Sequence, residues 1–141
     1  MNSGITICLI DDDEVYKFVM RKIIEGLEVN IIRKILTFSD GEEALEFITG
    51  NVSNHSELPN IILLDINMPI MDGWQFMDEY VLLKPRIGKK ITIYMVSSSK
   101  NEEDMEHAKR ISEISDYLIK PVTPDELKLI IDALQLEPGS N

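Results

Sequence analysis

Residues 61–64 read Ile-Ile-Leu-Leu and stop at Asp65. Four apolar residues in succession suit a strand buried on both faces, the usual state of strands in parallel sheets covered by helices. A carboxylate at the carboxyl end of such a strand stands in the crevice where open α/β sheets bind ligands. Asn67, Met68-Pro69 and Asp72-Gly73 follow. Proline fixes one backbone angle and glycine permits unusual ones, so this loop is shaped before a helix begins near Trp74. Taken alone, Asp65 also has an ordinary reading as a strand-end or helix-capping carboxylate.

The flanking segments alternate between strand-like and helix-like patterns. Residues 5–10 are a first apolar strand, and residues 15–27 carry Val15, Phe18, Val19, Ile23, Ile24 and Leu27 at helical spacing. Residues 31–38 are rich in β-branched and aromatic side chains; Asp40-Gly41-Glu42-Glu43 then resembles a capping box, opening a helix that Gly50 ends. A polar loop over residues 51–60 precedes the third strand, and a helix covers about 73–83. A turn at 85–90, a strand at 91–96 and a mostly polar helix at 101–111 follow, the helix docking shallowly through Met105, Ala108 and Ile111. Residues 116–119 are a short fifth strand. Thr123-Pro124-Asp125-Glu126 combines an N-cap, a first-turn proline and a capping-box glutamate, and Leu127, Ile130, Ile131 and Leu134 face inward from the helix it opens. The end, Pro138-Gly139-Ser140-Asn141, is expected to fray as a short flexible tail. Five βα units imply an α/β fold, a doubly wound parallel sheet with right-handed crossovers. The 141 residues make one domain, 1–141 with its core at about 5–136, long enough to bury roughly two thirds of the unfolded surface.

Charge narrows the function classes. A net charge of −11 opposes binding to nucleic-acid phosphates or anionic membranes, and no basic stripe offsets it. The one cysteine, Cys8, lies within the first strand and forms no internal disulfide. The N-terminal apolar run is too short for a signal or membrane segment, so a soluble, cytoplasmic protein is expected.

In a parallel sheet all strand carboxyl ends point one way. Asp11-Asp12 after the first strand, Asp65, Ser97 and Lys120 therefore converge on one rim. Close carboxylates repel by about 4 kcal/mol per pair at a surface-like dielectric, and such a cluster normally requires a cation. Oxygen ligands without histidine or cysteine favour Mg²⁺; Ca²⁺ stays open, although no EF-hand spacing occurs. Lys120 and Ser97 suit the oxygens of a phosphoryl group. Each residue singly can be a solvated strand end, and Asp11 to Glu14 can be a helix cap. The joint pattern carries the reading.

That pattern resembles the receiver domain of two-component response regulators over nearly the whole chain. The matching features are the first strand with Asp11-Asp12, Asp65-x-x-Met68-Pro69-x-x-Asp72-Gly73, the hydroxyl residue Ser97, and Tyr117-x-x-Lys120-Pro121. The resemblance implies a flavodoxin-like (βα)5 sheet of strand order 2-1-3-4-5, with Asp65 as phosphoacceptor. It implies Mg²⁺ bound by Asp12 directly, Asp11 largely through water, one Asp65 oxygen and the Asn67 backbone carbonyl, with Lys120 pairing the phosphoryl group. The donor is a sensor histidine kinase or histidine phosphotransfer protein; His55 and His107 are read as solvated. Ser97 and Tyr117 are the implied switch, the hydroxyl moving toward the phosphoryl group and the ring into the vacated space. Such a protein is a self-catalysing phosphoacceptor and not a conventional enzyme.

Some positions depart from the family pattern. The loop before the third strand is long, Ile114-Ser115 stand where a small Gly-Ala pair is common, and Val122 replaces a frequent phenylalanine. These alter the face of the fourth helix, fifth strand and fifth helix, where partners commonly dock. With no effector domain expected after the fifth helix, output passes to another protein or the phosphate moves on in a relay, from a monomer or transient dimer. The alternatives are a haloacid-dehalogenase-like phosphatase, which typically has an aspartate where Asn67 stands, an inactive receiver, and a flavodoxin-like binding module.

Overall fold

In the computed structural model of the chain, which describes residues 4–27 and 30–136, five strands pair in parallel throughout. Strands and helices alternate as β1 (Ile5–Ile10), α1 (Glu14–Glu25), β2 (Ile32–Phe38), α2 (Gly41–Gly50), β3 (Ile61–Asp65) and α3 (Gly73–Leu83). A 3₁₀ turn at Lys84–Arg86 leads to β4 (Thr92–Ser97), α4 (Glu102–Lys109), β5 (Ile114–Ile119) and α5 (Pro124–Leu136). The spatial order is β2-β1-β3-β4-β5, the order implied by the resemblance. The tail expected to fray, from Pro138 onward, lies outside the described residues.

Burial follows position in the sheet. Every residue of β1 and β3 is buried, whereas at the edges β2 is mostly half-buried and β5 passes from the buried Ile114 through the exposed Ser115 and Asp116 to half-buried residues. Alternation along the strands splits the core in two. Cys8, Ile10, Ile62, Leu64, Ile93 and Met95 face α2, α3 and α4 through Ala44, Ile48, Phe76, Tyr80 and Ala108. Ile5, Ile7, Leu9, Ile61 and Leu63 face α1 and α5 through Met20, Ile24, Leu127, Ile130 and Ile131.

The helix starts are chemically set. Asp13, Asp40, Asp72 and Asn101 each accept a hydrogen bond from the backbone N–H three residues on. Thr123 and Glu126 form the reciprocal box read from sequence, at 2.9 and 3.1 Å. Asp72 and Gln75 form another, opening α3. At Asp40 the reciprocal bond falls one residue earlier, with Ser39 N–H donating to Glu43 at 2.7 Å.

The inward face of α1 follows the apolar spacing at Ile23, Ile24 and Leu27, which are buried or pack on the core, and departs from it in the first half of the helix. Val15 and Phe18 are 73% and 60% exposed and Val19 is exposed too, while Lys17, Met20 and Ile24 are buried. The cause lies at Lys17, whose ammonium donates to Ser39 Oγ at 2.9 Å and to Glu14 at 3.0 Å. With polar partners waiting on β2's far end, the 17-20-24 stripe turns inward and the 15-18-19 stripe faces water. β5 also begins two residues earlier than expected, at the buried Ile114.

The long loop before β3 is fastened down. Lys89 Nζ donates to the carbonyls of His55 and Leu58 at 2.9 and 2.7 Å, and Lys34 pairs with Glu57 at 3.2 Å. His107, read as solvated, instead stacks on Trp74 with ring centroids 3.8 Å apart and planes 14° from parallel, joining α4 to the start of α3.

Candidate functional site

Sheet register brings the strand ends together. Ile10 pairs with Leu64, Asp65 with Val96, and Ser97 with Ile119, so the residues at or just after these positions share one rim. The ladder continues into the rim, where Asp11 N–H donates to the Phe38 carbonyl at 3.0 Å and Lys120 N–H to the Ser97 carbonyl at 2.8 Å.

Three consecutive aspartates do three different things. Asp11 is buried and its Oδ1 accepts from Asp13 N–H at 2.9 Å; Asp12 is exposed; Asp13 caps α1. Asp11, Asp12 and the buried Asp65 each present a carboxylate oxygen within 4.8 Å of the others. Lys120 Nζ lies 2.7 Å from Asp11 Oδ2 and 3.3 Å from Asp65 Oδ1. Burial, then the Asp11 charge, pushes the Asp65 carboxyl up to about 6 against the opposing pull of Lys120. Burial works against the Lys120 charge as well, but the Asp11 and Asp65 carboxylates more than compensate and hold its pKa above the ordinary lysine value. One ammonium thus pairs with two of the three carboxylates, and the charge left over suits a hard divalent cation with oxygen ligands.

The loop beyond Asp65 is close-fitting. A Cβ on Gly73 would lie 2.5 Å from the Asp65 carbonyl oxygen, so only glycine allows α3 to start against the end of β3. Gly73 N–H donates to the Ile66 carbonyl at 2.8 Å, and Gly41 N–H to the Met71 carbonyl at 3.0 Å. Between these ties Ile70 takes φ 68°, a left-handed conformation that a β-branched residue rarely adopts. Asn67 is exposed.

On the neighbouring strands, the buried Ser97 accepts through Oγ from Ser99 N–H at 3.1 Å. The half-buried Tyr117 donates through its hydroxyl to the Ser99 carbonyl at 2.9 Å. Lys120-Pro121 is a cis peptide.

The sequence matches the family model described as "Response regulator receiver domain" over residues 7–132. The chain belongs to this family. Among curated relatives, the "Probable transcriptional regulator ycf27" of Guillardia theta is 33% identical over 126 residues, 89% of this chain but 44% of that protein. The receiver therefore spans under half of that relative's length. A solved structure, the "Two component response regulator from Cytophaga hutchinsonii", superposes with a TM-score of 0.84 at 26% identity, covering 95% of this chain and 99% of that one. The "Phosphorylated Cyanobacterial Phytochrome Response Regulator RcpA" gives a TM-score of 0.68 at 26% identity, covering 94% and 91%.

Of the residues singled out from sequence, the receiver gathers Asp11, Asp12, Asp65 and Lys120 into one cluster and sets Ser97 beside them in the sheet. Tyr117 stands one strand further and reaches the same β4–α4 loop. His55 is remote, its ring against Gly88. Sequence reasoning passed over Tyr16, whose ring lies 4.3 Å beneath the Lys120 ammonium. The available signal was its place in the first turn after the Asp13 cap. No helix among the described residues is long and apolar enough to cross a membrane.

Proposed function

We propose that this receiver takes a phosphoryl group onto Asp65 and signals through contacts with another protein or passes the phosphate on. The observation that carries the reading is the placement of Asp65: a buried carboxylate 3.3 Å from the Lys120 ammonium and within 4.8 Å of Asp11 and Asp12. The phosphorylated state of RcpA, a relative of similar fold, supports it.

Asp65 attacks phosphorus through one carboxylate oxygen; the new P–O bond forms as the P–N bond to the donor imidazole breaks, and the electron pair leaves with that nitrogen. Lys120 already stands between Asp11 and Asp65, so an ammonium is in place as negative charge builds on the transferred oxygens. Asp11, Asp12 and Asp65, with the Asn67 backbone carbonyl, would hold Mg²⁺. When bound, that ion neutralises the carboxylates and the phosphoryl oxygens and fixes their geometry. Water later cleaves the acyl phosphate and returns the carboxylate.

A sensor histidine kinase or histidine phosphotransfer protein supplies the donor. Exposed Val15, Phe18 and Val19, on the helix that begins beside Asp12, offer apolar contact area for a macromolecular donor at the site's border. Output goes through a downstream protein and not through nucleic acid, given the charge of −11. A cytoplasmic location and a monomer or transient dimer belong to the same reading.

The test is incubation with Mg²⁺ and acetyl phosphate. Intact mass should rise by one acid-stable, base-labile phosphate, and Asp65→Asn should gain none. Labelling of that variant to the wild-type level would reject the assignment.

A further inference from the structure

We propose that Tyr16 is a positioning residue for Lys120, its ring face holding the ammonium at the acidic cluster while leaving the N–H groups free for oxygen acceptors. This rests on the reading of Asp65 as phosphoacceptor. The Lys120 ammonium lies over the Tyr16 ring, 4.3 Å from the centroid, on the same atom that meets Asp11 at 2.7 Å and Asp65 at 3.3 Å. Three groups thus fix one nitrogen.

The ring contributes something a third oxygen cannot. An aromatic face attracts a cation through its quadrupole and has no lone pair that demands a hydrogen bond. An ammonium held this way keeps its donors available to a phosphoryl oxygen arriving beside Asp65. An aliphatic side chain at the same place would desolvate Lys120 without compensation, and the ammonium would then lean harder on the carboxylates.

The placement of Tyr16 is itself determined by the helix start. Its N–H donates to the Asp13 cap at 3.0 Å, and its ring packs against the core layer formed with Met20 and Ile24. The cap that opens α1 therefore also aims the ring. The Tyr16 hydroxyl is buried and makes no hydrogen bond among the described residues. Burial and the charges of Asp11 and Asp65 push its pKa above the ordinary tyrosine value, so the ring stays neutral. The ring positions Lys120 and the hydroxyl takes no part.

The experiment compares the full chain as wild type, Tyr16→Phe and Tyr16→Leu. Two quantities are read: the NMR resonance of the Lys120 ε-methylene, assigned by its loss in Lys120→Arg, and the rate of phosphate uptake from acetyl phosphate with Mg²⁺. In wild type and Tyr16→Phe the ε-methylene should lie upfield of the other lysines because of the ring current, with uptake within about twofold. In Tyr16→Leu the resonance should return to the ordinary lysine position and uptake should fall about tenfold. Where Tyr16→Leu melts below the assay temperature, Tyr16→Met makes the same comparison. An ordinary Lys120 resonance in wild type, an unchanged uptake rate in Tyr16→Leu, or a loss in Tyr16→Phe as large as in Tyr16→Leu would each overturn the proposal. A wild type that takes up no phosphate rejects the Asp65 reading instead, a failure visible before any Tyr16 variant is made.

Discussion

The Tyr117 hydroxyl donates to the carbonyl of Ser99 at 2.9 Å, and Ser99 N–H in turn donates to Ser97 Oγ at 3.1 Å. One residue of the β4–α4 loop is therefore held at both of its backbone polar groups by the pair proposed as the switch. If the Ser97 hydroxyl turns toward a phosphoryl oxygen, Ser99 loses one tie and the Tyr117 bond must re-form on a shifted loop. We propose this chain of bonds as the two-state element that charge at Asp65 biases.

Ser97→Ala should accept phosphate at Asp65 yet couple poorly to β5 and α4. Beryllofluoride with Mg²⁺ should move the wild-type amide resonances of Met105 to Ile111 and Tyr117 to Ile119, and move them far less in the variant. A wild-type response confined to the rim, with Tyr117 in one environment throughout, would instead identify a phosphate carrier.

Asp65 should make stability fall with rising pH. A free aspartate titrates near 4, whereas in the fold this carboxyl titrates near 6. Between those values the folded form keeps a proton that the unfolded form has lost, so the penalty grows from about pH 4 to about pH 6 and is complete above it, on the order of 3 kcal/mol. In EDTA at pH 7.5, Asp65→Asn should melt several degrees above wild type, and the gap should close near pH 4. Equal melting temperatures at both pH values would show that the carboxyl is not strained by its neighbours.

Mg²⁺ should raise the melting temperature by mass action. A ligand at a hundred times its Kd adds about 2.7 kcal/mol when only the folded form binds it. Asp12→Ala, at the exposed member of the carboxylate cluster, should lose most of that response. Matching Mg²⁺ titrations in both proteins, followed by thermal melting, would argue against Asp12 as a ligand.

Much of this architecture is legible in residue order because local chemistry determines it. The unbroken apolar runs of β1 and β3 announce central strands, and the Thr123 to Glu126 box is formed as read. The site's acids were legible because parallel topology alone puts strand ends together. On α1 the apolar spacing holds for Ile23, Ile24 and Leu27 but not for Val15, Phe18 and Val19, because the buried place in the first half of the helix goes to Lys17, whose partner Ser39 lies across the fold. Tyr16 under Lys120 and Trp74 against His107 are likewise meetings of distant segments, which no periodicity encodes.

Ile70 offers a test of the loop beyond Asp65. Its φ of 68° costs about 1–2 kcal/mol in a residue with a branched β-carbon, and the side chain is 73% exposed, so little burial offsets the strain. Ile70→Asn should stabilise the protein by about 1 kcal/mol, raising the melting temperature by roughly 2–4 °C. A lower melting temperature would mean that the exposed isoleucine contributes contacts worth more than its backbone strain.

The stacking of His107 on Trp74 has a practical outcome. The chain holds one tryptophan, so all of its indole emission originates where α4 meets α3. Separation of those rings would change the environment of the sole fluorophore. The unlabelled molecule therefore carries its own optical gauge of where α4 sits, readable during a phosphodonor or partner titration.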